Sequence, residues 1–242
     1  MINLLLISTL FVFQGPETKT LDPAEISKKL DELYRSKSSY AVVEMTVLNP
    51  RYQRTLKMEI WSLGMDHTLV KILSPKKERG TATLKKGTEM WNYLPKIRKL
   101  IRIPPSMMMS SWMGSDFTND DLVKESSWET DYNISNGSPE GDLESLIFIP
   151  KPDAAVTWGK VVLIWDPATD LPVRQDFFDE KGVKVREMHF EDTVDLGGRM
   201  LPSKLVLIPL TKEGHKTTIT YESIDFKVEL DESFFSKSQV RK

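Results

Sequence analysis

Residues able to do chemistry are scattered along the chain. The three histidines, His67, His189 and His215, stand far apart, and none has the His-x-x-x-His or His/carboxylate spacing that holds zinc. Each reads as an exposed strand or turn residue. Gly114-Ser115-Asp116 is no Gly-x-Ser-x-Gly elbow, because the glycine after the serine is missing. Asp116-Phe117-Thr118-Asn119-Asp120-Asp121 offers oxygen ligands but lacks the Gly and the distant Glu of a calcium loop; it suits a helix-capping turn as well. Cysteine is absent, which excludes disulfides, thiolate metal sites, cysteine nucleophiles and lipid attachment to an N-terminal Cys. No Gly-rich phosphate loop and no basic helix with interleaved aromatics is present, so nucleotide and nucleic-acid binding have no positive support. Asn133-Ile134-Ser135 and Asn136-Gly137-Ser138 fit the glycosylation pattern, one short enough to arise by chance. No acid–base or nucleophilic constellation can be assembled. The expectation is a protein without enzymatic activity, metal or cofactor.

A different chemistry is suggested by residues 104–113, Pro-Pro-Ser-Met-Met-Met-Ser-Ser-Trp-Met, which gather four of the eleven methionines. Methionine is unbranched and polarizable, so a Met-rich surface moulds itself to varied apolar partners. Met107, Met108, Met109, Trp112 and Met113, with Phe117 beyond them, either plug one end of a core or cover a ligand. Charge is asymmetric around this run. Lys85 to Arg102 carries a local net charge of +5, and Ser111 to Ser145 one of −8. These are solvated faces that offset each other, or docking faces for charged partners, with Arg98, Lys99 and Arg102 the candidates on the basic side.

The elements that would position these residues are mostly strands. One helix is expected over about 23–35, where an N-cap Asp22, Pro23 at the first helical position and Glu25 precede Ile26, Leu30 and Leu33 on one stripe. After Ser38 the period changes to two. Leu56, Met58 and Ile60 alternate with Lys57, Glu59 and Trp61, the pattern of a strand with one buried face. Similar runs recur at 40–48, 67–73, 89–94, 96–103, 143–149, 160–165, 171–178, 183–191, 199–207 and 216–224, eleven in all. Turn residues such as Asp179-Glu180-Lys181-Gly182 and Leu196-Gly197-Gly198 separate them. Short strands joined by turns make an antiparallel sheet or barrel.

Composition agrees with one folded domain. The 242 residues are 40% apolar and 28% charged, with 33 basic and 35 acidic side chains and a net charge of −2. Neither disorder nor a global basic surface for nucleic acid follows from these values. Residues 1–15 read as a cleavable signal, because apolar Met1–Phe13 breaks at Gln14-Gly15-Pro16. The run is short of the roughly 20 apolar residues of a membrane span. It has no Lys or Arg in front and Val12-Phe13-Gln14 is a poor cleavage site, so a misplaced start or a buried strand is the alternative. Residues 16–242 are then a single domain.

Longer stretches carry a family resemblance. Trp91-Asn92-Tyr93-Leu94-Pro95, Arg98, Arg102-Ile103-Pro104-Pro105 and Ser111-Trp112-Met113-Gly114-Ser115-Asp116-Phe117-Thr118-Asn119-Asp120-Asp121-Leu122 resemble the signature of bacterial outer-membrane lipoprotein-sorting proteins of the LolA-like superfamily. Trp165-Asp166-Pro167-Ala168-Thr169-Asp170-Leu171-Pro172, Asp179-Glu180-Lys181-Gly182 and Leu201-Pro202 are similar to the same family's second half. The likeness covers roughly residues 21–236, is most specific at Met113–Phe117, and is to an uncharacterised branch. It implies a signal peptide, a periplasmic location and an incompletely closed antiparallel β-barrel of about eleven strands around a hydrophobic cavity. It also implies a carrier, expected to be a monomer, that binds the acyl chains of lipoproteins or lipids. Its partners would be an inner-membrane transporter and an outer-membrane acceptor. The branch's association with resistance-nodulation-division transporters leaves an accessory docking protein as the alternative. In such a carrier Leu56, Met58 and Ile60 would line the cavity, beneath a cover made of the Met-rich segment.

Overall fold

The computed structural model describes residues 22–124, 128–154 and 156–241. The expected signal, residues 1–15, lies outside them. Helix α1 (Pro23–Glu32) starts where its cap signal puts it: Asp22 Oδ1 accepts a hydrogen bond from the Ala24 amide at 3.0 Å. It ends at Glu32, short of the expected 35. Glu25 does not complete a capping box; it pairs with Lys29 one turn on, at 2.9 Å. Ile26 and Leu33 enter the core. No helix among the described residues is long and apolar enough to cross a membrane.

The strands are β1 (Ser38–Asn49), β2 (Tyr52–Leu63), β3 (His67–Ser74), β4 (Ala82–Lys86), β5 (Glu89–Leu94) and β6 (Lys99–Arg102). After two short helices, α2 (Asn119–Lys124) and α3 (Trp128–Asp131), come β7 (Tyr132–Asn136), β8 (Glu144–Pro150), β9 (Lys160–Asp166), β10 (Leu171–Phe178), β11 (Lys184–Leu196), β12 (Arg199–Pro209) and β13 (Lys216–Asp225). They form one antiparallel sheet of thirteen strands, two more than the eleven alternating runs. The two additional strands lack a readable alternation. In β4, Ala82, Thr83, Leu84 and Lys85 are all buried, so both faces are covered. In β7 only Tyr132 is buried. The expected strand over 96–103 shortens to β6, because Pro95–Ile97 makes a tight turn and Arg98 takes a left-handed φ of 52°.

Strand order is β6-β5-β4-β3-β2-β1-β13-β12-β11-β10-β9-β8-β7. Every neighbouring pair is consecutive in sequence except β1 and β13, which join the two ends of the meander from Tyr40↔Asp225 to Leu48↔Lys216, with a register shift between Val42 and Val43. The edges, β6 and β7, are therefore successive strands. The barrel is left open between them, and residues 103–124 and 128–131 lie across the gap.

Alternation along the strands divides the sheet into two faces. Val43, Met45 and Val47 of β1, Leu56 and Met58 of β2 and Val70 and Ile72 of β3 belong to a large inner core. Leu69 and Leu84 face the other way and form a second core with Trp91, Tyr93, Phe235 and Val240. The C-terminal segment thus straps the outer face of β3–β5. Phe235 is fully buried there. Phe235→Ala should destabilise the protein by about 3–5 kcal/mol in denaturant titration. Because the strap is on the opposite face, the volume of the inner cavity should be unchanged.

Candidate functional site

The segment that crosses the open side is built from the Met113–Phe117 motif outward. Met113 adopts a left-handed φ of 49° and its carbonyl accepts from the Arg54 guanidinium of β2. Gly114 follows at φ +71°, and a Cβ there would sit 3.1 Å from Arg54 Nη2, so glycine meets both the backbone and the space requirement. The Ser115 hydroxyl donates to the Trp112 carbonyl at 2.7 Å and accepts from the Phe117 amide at 3.2 Å, which closes the turn. Asp116 locks it to β13: its amide donates to Thr217 Oγ1 at 3.0 Å, and that hydroxyl donates to Asp116 Oδ2 at 2.7 Å. Trp112 Nε1 reaches Thr83 Oγ1 of β4 at 3.1 Å. Trp112 and Phe117 are thereby held inside.

Beyond the turn, Thr118 and Asp121 cap α2 reciprocally. The Thr118 amide donates to Asp121 Oδ2 at 2.7 Å and the Asp121 amide to Thr118 Oγ1 at 3.1 Å. The Asp121 carboxylate also takes both Nη groups of Arg186 on β11, at 2.8 and 2.9 Å. Burial would push this carboxyl up, but the Arg186 charge, its hydrogen bonds and the Thr118 donors outweigh it and hold Asp121 below the ordinary carboxylate range. The acidic run is thus used as capping and ion pairing. Among the described residues, no group of three or more His, Asp or Glu side chains is placed to hold a metal ion.

Sheet, α1 and crossing segment enclose an apolar cavity of about 160 Å³, on a scale where one water needs about 10–15 Å³. Ala41, Val43, Met58, Ile60 and Val70 line it from β1–β3, Met188, Phe190, Leu205 and Ile219 from β11–β13, and Trp112, Phe117, Leu122 and Trp128 from the crossing segment. Leu30, Leu33 and Tyr34 close the α1 side. Tyr34 stacks on Tyr221 with ring centroids 4.4 Å apart, and its hydroxyl donates to the Pro202 carbonyl at 2.8 Å, so α1 is braced against β12 and β13. A smaller space of about 50 Å³ shares Phe117, Trp128, Gln175 and Met188 as a wall and is lined further by Asp120, Asp121, Asp131 and Arg186.

The residues singled out from sequence separate. Met58, Ile60, Trp112 and Phe117 line the cavity; Leu56 is buried in the same core without reaching it. Met113 packs against the core from behind its turn, Met108 is half-buried, and Met107 and Met109 are 47% and 52% exposed. Arg98 and Lys99 are exposed at the β6 edge, while Arg102 pairs with Glu89. The basic and acidic runs do not offset each other across neighbouring strands, since β6 and β7 lie at opposite edges. Asp116, Asp120 and Asp121 turn inward, Glu140 pairs with Arg174 at 2.9 Å, and Lys85 is buried with its Nζ donating to the Met65 carbonyl at 2.8 Å. His189 Nε2 lies 3.0 Å from Glu187, His215 Nδ1 lies 3.5 Å from Asp116 and His67 packs on Phe235; all three stand outside the cavity lining. Sequence reasoning missed Gln175 and Arg186. Their signal was a polar residue in an inward row of alternation, between Val173 and Phe177 and ahead of Met188 and Phe190.

An open antiparallel barrel wrapped round an apolar cavity defines the class of protein. A family model described as "Uncharacterized protein" matches residues 64–242. The chain belongs to that family. Its fold is similar to that of an outer membrane lipoprotein-sorting protein domain from Vibrio parahaemolyticus, with TM-score 0.75, 23% identity and coverage of 90% of this chain and 97% of that one. A DUF1329 family protein from Desulfovibrio piger gives TM-score 0.76 at 22% identity, over 91% and 100% of the two chains. A LolA superfamily protein from Nitrosomonas europaea gives 0.74 at 22%, over 90% and 99%. No curated protein matches the chain.

The Asp121–Arg186 pair sets a pH-dependent stability. Because the native carboxyl titrates below its unfolded value of about 3.9, its contribution is complete above that pH and is lost as pH falls through the lower native value. Asp121→Asn leaves the Arg186 charge buried without its counter-ion and should cost about 3–5 kcal/mol at pH 7. Thermal melts should show the gap from wild type closing as pH falls below about 3.9.

Proposed function

We propose that the protein is a periplasmic carrier that takes the acyl chains of lipoproteins or lipids into the inner cavity and shuttles them toward the outer membrane. An acyl chain left in water loses about 0.8 kcal/mol for every CH₂ withdrawn from the bilayer, so a shuttle must offer an apolar replacement. The observation that carries the reading is the cavity itself, walled mainly by aliphatic and aromatic side chains, with Asp31, Arg35, Ser39, Ser62, Thr68 and Gln175 making the polar part of its lining. The open side between β6 and β7 supports the same reading, because no strand pair seals it. Met107 and Met109, exposed beside that side, would give an entering chain an adaptable surface. Arg98 and Lys99 at the free β6 edge would meet the membrane-bound donor or acceptor.

Mass spectrometry of an organic extract from protein exported in a diderm bacterium and purified without detergent tests this. A stoichiometric lipid or acylated peptide is expected. Ala41→Phe, which places a ring in the cavity, should cut the recovered lipid on the order of tenfold while the thermal midpoint stays level or rises. A clean extract together with no uptake from vesicles would overturn the carrier in favour of an accessory docking protein.

A further inference from the structure

The small space beside the main cavity is an arm walled largely by Phe117, Trp128, Trp158, Phe177 and Met188, and it carries buried donors left over. Gln175 of β10 is 2% exposed, walls both spaces, and its Nε2 has no hydrogen-bond partner among the described residues. Arg186 of β11 is 7% exposed. Trp158 and Phe177 lie against its guanidinium, with centroids 4.3 and 4.0 Å from Cζ, and Asp121 occupies both Nη groups. The Arg186 Nε is buried and has no hydrogen-bond partner among the described residues. Gln175 pairs across the strands with Met188, two residues from Arg186, so the two side chains are diagonal neighbours on the inner face. A buried donor left unsatisfied is costly, and an acceptor brought by a ligand relieves it. The acceptor's charge is also constrained. Three carboxylates, Asp120, Asp121 and Asp131, line the arm against the single Arg186, which disfavours a phosphate or carboxylate.

We propose that the arm seats an acyl carbonyl, ester or amide, that accepts from Gln175 Nε2 and Arg186 Nε while its hydrocarbon chain lies in the main cavity. The proposal rests on the carrier reading and adds to it the selection of neutral acyl linkages over free fatty acids and over chains without a carbonyl. The arm, at about 50 Å³, has room for a carbonyl and its neighbouring atoms, several times the roughly 10–15 Å³ of one water.

The test is displacement of an apolar fluorescent probe from the full chain by four ligands with the same sixteen-carbon tail: monopalmitoylglycerol, N-palmitoylethanolamine, 1-O-hexadecylglycerol and palmitate at pH 8. Ester and amide should bind about tenfold tighter than the ether, which lacks the carbonyl, and palmitate should be the weakest. In Gln175→Leu the ester should come within about twofold of the ether measured on the same variant, a ratio that isolates the carbonyl whatever the substitution does to the shared cavity wall. An ester stronger than the amide would assign the source to glycerolipids, the reverse to N-acylated polypeptides. Equal wild-type affinities for ester and ether, or tightest binding of palmitate, would overturn the carbonyl site and leave the carrier standing. Failure of all four ligands to displace the probe would overturn both.

Discussion

A sheet whose two outermost strands follow each other in sequence must carry the chain across its own open side, and everything inside this protein depends on how that crossing is held. Residues 103–124 are tied by Arg54 to β2, by Thr83 to β4, by Thr217 to β13 and by Arg186 to β11. The bidentate Asp121–Arg186 pair is the most demanding of these ties, because two buried charges are tolerated only when each satisfies the other. Such a pair adds little net stability over apolar packing, but it admits one placement of α2 and hence of Phe117 and Leu122. The apolar side chains of the crossing segment supply the burial, and its polar side chains supply the position.

Much of this was legible in the sequence where local physics decides. The cap at Asp22-Pro23, the period-two runs and the turns at Gly182 and Gly197-Gly198 appear where the residues put them, because each depends on neighbours within a few positions. The two missed strands are those whose pattern comes from distant contacts: β4 is sandwiched between two cores, and β7 is an edge. Of the Met-rich run, composition identified a segment apart from the sheet but not which side chains face in. That depends on the left-handed turn at Met113 and Gly114, set by Arg54 some sixty residues earlier. Trp112, Phe117, Met58 and Ile60 reach the cavity, whereas Met107 and Met109 point to solvent. Gln175 and Arg186 were invisible as a pair because only the β10–β11 register brings them together.

Leaving the interior underfilled is itself expensive. At about 24 cal/mol per Å³, a cavity of this size forgoes on the order of 4 kcal/mol of packing, a large part of the 5–15 kcal/mol typical of a folded domain. The stacked Tyr34–Tyr221 pair and the rings of Trp112 and Trp128 act as struts that keep the space from collapsing. The second core, on the opposite face, is dense by contrast, with Leu69, Leu84 and Phe235 fully buried. Neighbouring residues of one strand, Leu69 and Val70, thus serve stability on one side and the cavity on the other.

The pairing of β1 with β13 also dictates the order in which the protein can assemble. β2 to β6 can zip onto β1 as hairpins, and β7 to β12 can zip onto one another, yet the two halves meet only through residues 216–225. Until that last strand is available, the edge of β1 over Tyr40–Leu48 presents a row of unpaired N–H and C=O groups flanked by exposed Val43, Met45 and Val47, a template for unwanted pairing. Pairing β1 with β13 closes a loop spanning nearly the whole chain, the kind of non-local contact that slows folding. A chain made from its N-terminus holds β1 to β6 without their β13 partner until residues 216–225 appear, and β7 to β12 join them as a second half-sheet only in the later part of that interval.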